Sequence, residues 1–204
     1  MAYYTRVLAE KKDIITVSQI RDWLQREGLK IGVMVEDGDA DSWRQITLKR
    51  TRGKELVTIE RNLVEPGSLG EAEIQEFLEE LTEAKPKSAA NWLIEYLPNI
   101  KVVYAFQILF TGNRNEDWQL IQIIKDKIWN ALGGIIQADY EGFSNREGYH
   151  ILWQFSDNVK GTWNMTVVSD TGKWQTFQMD LGNKQHRSAF LEGKVPEGVS
   201  VISQ

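Results

Sequence analysis

Apolar side chains recur along this chain at two spacings, and each change of spacing marks a new element. Tyr3 to Ala9 has the aromatic and branched residues of a strand. Thr16 opens a helix: with Gln19 three positions on it has the form of a capping box, and Ile20, Trp23 and Leu24 follow at helical spacing until Gly28. Lys30 to Glu36 reads as a strand. After an acidic loop, Trp43 to Arg50 and Lys54 to Arg61 form a hairpin about Thr51 to Gly53. Ser68 and Glu71 make a second capping box before Ile74, Phe77, Leu78 and Leu81, which repeat at i, i+3, i+4 and i+7. Pro86 ends that helix, and a shorter one spans Ala89 to Leu97.

The same order then recurs. Val102 to Phe110 is an apolar strand, and Glu116 to Leu132 is a helix closed by Gly133 and Gly134. Ile135 to Tyr140, Tyr149 to Ser156 and Trp163 to Val168 follow as strands matching Lys30 to Val35, Trp43 to Arg50 and Glu55 to Glu60. At an offset of about 105 residues, Ile20-Arg21-Asp22 falls on Ile124-Lys125-Asp126. Lys173 to Asp180 adds a hairpin strand through Asp170 to Gly172, a short helix covers Asn183 to Leu191, and Val199 to Ser203 is a last strand. The expected fold class is therefore α+β: two related β-α-β-β-β halves, residues 1–98 and 99–204, mainly antiparallel sheet with helices packed on one face. The second half carries the additional hairpin strand, and the halves are expected to pack as one compact unit. One helix per unit covers one sheet face and leaves the other to a partner or to water.

Composition removes whole classes of function. At 204 residues and 42% hydrophobic the chain can bury its own core, so no cofactor is expected. It has no cysteine, which excludes disulfides, thiolate metal sites and cysteine nucleophiles and fits a cytoplasmic setting. No apolar run approaches membrane-spanning length and Met1 to Lys12 lacks a signal-type apolar core, so neither a membrane nor a secreted protein is expected. A formal net charge of −5 argues against nucleic acid as partner. No dinucleotide, Walker or nucleophile-elbow motif occurs.

Three constellations are left that could carry chemistry. Asp139 and Glu141 would share one face of a strand, and a hairpin could bring His150 beside them, a set able to do acid–base work or hold a divalent ion. His186 and Arg187, near the start of a short helix, could grip a carboxylate or phosphate. Of eight tryptophans, Trp153, Trp163 and Trp174 crowd the second half. With Tyr149 they are candidate binding residues, though such aromatics as often form core. Alternation puts Tyr149, Ile151, Trp153 and Phe155 on one strand face and His150, Leu152, Gln154 and Ser156 on the other. Asp37, Asp39 and Asp41 lack the later ligands of a calcium loop, so no metal is expected there. Lys49, Arg50, Arg52 and Lys54 ring a hairpin tip, where basic residues commonly serve solubility.

With every catalytic motif missing, the leading expectation is a non-catalytic binding, adaptor or inhibitor-type protein. It would use a sheet face or edge, with a protein partner or a second copy of the chain. Trp163, Met165 and Val167 are expected on the core face of their strand, and the opposite face, polar with aromatics at its margin, is where such a surface is expected. The alternative is an enzyme or a small-ligand or metal-binding protein working through Asp139, Glu141 and His150.

Overall fold

The computed structural model describes residues 3–51, 53–109, 115–169 and 171–202. In chain order its elements are β1 (Tyr3–Ala9), α1 (Val17–Arg26), β2 (Ile31–Asp37), β3 (Gln45–Arg50), β4 (Glu55–Leu63), α2 (Leu69–Glu80), α3 (Lys87–Tyr96), β5 (Val102–Ile108), α4 (Asn115–Leu132), β6 (Ile135–Ala138), β7 (Gly142–Ser144), β8 (Thr162–Val168), β9 (Trp174–Asp180), α5 (Lys184–Leu191) and β10 (Val201–Ile202). The class is α+β, with antiparallel sheet and helices packed on it. Arg52, Phe110, Asp170 and Ser203, which the sequence reading used, lie outside the described residues.

Contacts divide the chain into two units, Met1–Glu71 with Ile100–Gly134 and Ala72–Asn99 with Ile135–Gln204. Each unit is assembled from two stretches of chain, whereas the expected halves, 1–98 and 99–204, were each continuous. In the first unit the strands lie in the order β2-β3-β4-β5-β1, all antiparallel. Thus β5 joins the sheet of the first-half strands, between β4 and β1, and does not begin a sheet of its own. Its residues Val102 to Phe106 are all buried, so both faces of that strand are shielded from water.

Local chemistry explains why the helices sit where they do. Thr16 and Gln19 form the expected box: the Gln19 amide donates to the Thr16 hydroxyl at 3.2 Å and the Thr16 amide to the Gln19 side chain at 2.8 Å. Val17, Ile20 and Leu24 are the buried stripe of α1, which lies against β2, while α4 packs on β1 and α1. Trp43 is fully buried, donates from its indole to the Ile15 carbonyl at 2.7 Å and meets Tyr104 edge-on at 5.9 Å between centroids. Gly134 has φ +101°, and a Cβ there would lie 1.9 Å from the Leu8 carbonyl oxygen, so only glycine lets the chain pass β1 this closely.

The second unit departs from the expected duplication. β6 and β7 are a short hairpin, whereas β8 pairs with β9 in a separate three-stranded sheet ordered β10-β9-β8. Tyr149 to Ser156, the expected counterpart of β3, is not a strand. It makes isolated bridges at His150 with Ser144 and Met165. Its amides otherwise go to scattered acceptors, with Ile151 on Phe143 at 2.8 Å, Trp153 on Lys85 at 3.1 Å and Gln154 on Glu141 at 3.0 Å. The alternation of faces therefore fails, and His150, Ile151 and Leu152 are buried in succession. One face of β8 and β9 carries Met165, Val167, Phe177 and Met179 into a core with Phe155, Leu181 and Phe190 of α5. On the other face the Thr166 and Thr176 hydroxyls meet at 3.3 Å and are buried, and Trp92 of α3 meets Trp174 edge-on at 5.3 Å. The polar face expected to be open is thus partly covered by α3.

Candidate functional site

The backbone does not put Asp139 and Glu141 on the strand that was expected to set them beside His150. β6 ends at Ala138, and Asp139 to Glu141 form the turn, with Tyr140 at φ +63° and Gly142 at φ +120°. Asp139 and Glu141 therefore stand in a turn, where the strand alternation that was expected to give them a common face does not apply. His150 is only 2% exposed. Its Nε2 lies 2.9 Å from the main-chain oxygen of Glu141, not from a carboxylate. A carbonyl oxygen only accepts, so Nε2 carries the hydrogen and donates. The ring packs on Phe155 at 4.8 Å and edge-on against Trp163 at 5.5 Å. Burial pushes its pKa down to about 4, against the opposing pull of main-chain contacts to Glu141 and Leu152. It is a neutral, hydrogen-bonded core histidine at ordinary pH. Among the described residues no group of three or more His, Cys, Asp or Glu side chains could hold a metal ion.

The other sequence candidates come together as packing. Trp153 donates to the Phe155 carbonyl at 3.1 Å and contacts Phe190 at 6.2 Å, while Trp163 and Phe155 meet edge-on at 4.7 Å. The Arg187 guanidinium lies 4.9 Å over the Trp153 ring and hydrogen-bonds the main-chain oxygens of Asp157 at 3.0 Å and Leu181 at 3.2 Å. His186 offers its amide to the Asn183 cap at 3.3 Å, its Nδ1 being enclosed. Tyr149 donates its amide to Asn145 Oδ1 at 2.9 Å. Trp174 joins a stack of Trp92 on Tyr96, 4.6 Å between centroids, with Arg146 5.3 Å over the Tyr96 ring.

A concave site lies instead within the first unit, where the end of α1, the β3–β4 hairpin and the first turns of α4 converge. The α1 helix stops at Gly28, φ +70°, with the Leu29 amide returning to the Leu24 carbonyl at 2.8 Å. The hairpin closes through the Gly53 amide on Arg50 at 2.8 Å and the Arg50 amide on Lys54 at 2.8 Å. The Thr51 hydroxyl reaches the Lys30 carbonyl at 3.4 Å, tying the tip to the start of β2. Between these segments is a cleft of about 740 Å³ lined by Lys30, Arg50, Lys54 and Glu116, with Leu29, Ile31, Leu120 and Ile123 as apolar wall. A second hollow of about 720 Å³ continues on the α1 side, sharing Gly28 to Ile31, Arg50 and Thr51 and reaching Arg21 and Leu24.

The cleft's charges are fixed from behind. Asp117, in the first turn of α4, is fully buried, and its Oδ1 accepts from Arg50 Nε at 2.9 Å and from Nη2. Lys54 Nζ is 3.6 Å from its Oδ2, and Glu116 is 3.6 Å from Arg50 Nη2. Desolvation raises the Asp117 pKa, but hydrogen bonding and charge from Arg50 and Lys54 outweigh it and hold the carboxyl below its usual range. Lys49 points elsewhere, to Glu55 at 2.9 Å and Glu36 at 3.8 Å. The sequence flagged this hairpin as basic but gave no sign of Asp117, which lies 67 residues from Arg50.

Chemically the cleft sets three cationic side chains, the Glu116 carboxylate and the Thr51 hydroxyl beside an apolar wall, an arrangement able to hold a small ligand. No family model matches the chain, and comparison with curated proteins and with solved structures finds no match. No helix among the described residues is long and apolar enough to cross a membrane.

Proposed function

We propose that this is a non-catalytic binding protein whose ligand sits in the cleft between the end of α1, the β3–β4 hairpin and α4. One observation carries the reading: a cleft of about 740 Å³, within the size range of small-molecule sites, combines an apolar wall with three cationic side chains. At Asp139, Glu141 and His150, the place of the enzyme alternative, the imidazole is engaged by main chain and core, which weighs against that reading. The partial covering of the polar sheet face by α3, where Trp92 meets Trp174, likewise weighs in favour of a binding surface elsewhere.

The test is a thermal-shift screen of small metabolites, run in parallel on the wild type and on Gln119→Trp. Gln119 is an exposed α4 residue lining the cleft, so a bulky replacement fills the space without entering the core. A ligand at 100 times its dissociation constant stabilises the native state by about 2.7 kcal/mol, or roughly 5–10 °C for a chain of this size. Ligands of this cleft shift the wild type and leave Gln119→Trp unmoved. Equal shifts in both proteins would place the site elsewhere.

A further inference from the structure

Resting on the cleft reading, we infer that its ligand is a small amphipathic anion, a phosphate or carboxylate head on an apolar body. Arg50 uses Nε and Nη2 on Asp117, and Nη2 also faces Glu116; its Nη1 hydrogens have no acceptor among the described residues. The Arg50 side chain is 32% exposed and that of Lys54 46%, while Asp117 behind them has no exposure at all. The carboxylate is therefore out of a ligand's reach and serves to hold the guanidinium still. An anion arriving at the cleft meets a donor that is already oriented, so less side-chain freedom is lost on binding. Lys30 lines the same cleft and has no carboxylate partner among the described residues. Of the ionisable groups on the lining, three are cationic and one, Glu116, is anionic. A cationic ligand would face that excess directly. A purely polar anion would leave Leu29, Ile31, Leu120 and Ile123 without a partner, whereas an alkyl or aryl body covers them.

The experiment is calorimetric titration of the whole chain with n-alkyl phosphates from ethyl to octyl, beside the matching alkanoates, alkanols and alkylammonium ions. Affinity for the phosphates is expected to rise about fourfold per methylene while the chain is being buried, and to fall with added salt. Alkanoates with the same chain-length dependence count equally for the inference, and the tighter series identifies the head group. Lys30→Gln should weaken binding at least tenfold. Arg50→Met should do the same, but it strips Asp117 of its guanidinium and is read only if its circular dichroism is native; exposed Lys30 keeps the test decisive otherwise. Alkanols bound as tightly as phosphates, and blocked by Gln119→Trp, would overturn the anionic class while leaving the cleft. Phosphates bound equally by Gln119→Trp would overturn the cleft itself. No anion bound at millimolar concentration overturns the inference.

Discussion

His150 gives the chain a pH dependence that can be computed in advance. Its ring is 2% exposed, donates to the Glu141 carbonyl and packs between Phe155 and Trp163, and its pKa is lowered from 6.5 to about 4. In the unfolded chain the ring protonates near 6.5, so below that value the unfolded state binds a proton that the native state refuses. The neutral ring's contribution is fully present above pH 6.5 and is lost as pH falls towards 4. From those two values the loss is about 2 kcal/mol at pH 5 and about 3 kcal/mol at pH 4. Urea denaturation of the wild type and of His150→Gln across this range isolates it, because carboxylates common to both proteins cancel in the difference. Gln keeps a donor for the Glu141 carbonyl but cannot titrate. The stability difference should therefore move in favour of the variant by about 2 kcal/mol between pH 7.5 and pH 5. Curves that stay parallel over that range would show that His150 is hydrated or charged in the native state, and the core assignment would fall.

Three further outcomes follow from single contacts. Gly134→Ala forces a Cβ onto the Leu8 carbonyl at a positive φ, and should destabilise by at least about 3 kcal/mol or prevent folding, read by denaturant midpoint. Trp43→Phe removes the indole donor to Ile15 and leaves a void beside Tyr104, a loss of about 3 kcal/mol by the same assay. Asp117→Asn should cost about 1 to 2 kcal/mol at neutral pH. Because the Asp117 pKa is depressed on folding, that difference belongs above the ordinary carboxylate range and closes as pH falls through the folded value. A gap that persists into strong acid would mean that packing, not charge, is lost.

What the sequence revealed tracks how local the cause is. The Thr16 capping box, the stripe of α1, the β3–β4 hairpin and α4 were all legible, because each is decided by residues within a few positions of one another. Tyr149 to Ser156 misled because its alternating pattern is real but unused: Gly142, whose Cβ would lie 2.2 Å from the Leu152 carbonyl, draws that segment onto β7 through single hydrogen bonds. The duplication rested on that strand, and on β5 starting a new sheet, which it does not. The cleft was half legible. Its basic hairpin was visible, but the carboxylate that orients it comes from α4, and no pattern in the letters joins Arg50 to Asp117.

The same distinction separates residues that only look functional from residues that are poised to act. His150 and Arg187 are conspicuous in sequence, yet in each the groups that would meet a ligand are already engaged inside the fold: the imidazole Nε2 by Glu141, and the Arg187 Nη2 by Asp157 and Leu181 with its plane on Trp153. Their substitution should therefore change stability first. Arg50 has part of its donor set fixed by a buried acid while Nη1 remains without an acceptor among the described residues, on the lining of a cleft. A side chain that is held and still has donors to offer has lost most of its conformational freedom before a ligand arrives, which is what makes a surface charge into a recognition group. On that criterion Arg50, Lys54 and Lys30 of the first unit are the groups the proposed binding role would use, whereas Trp153 and Trp163 of the second unit pack against its core.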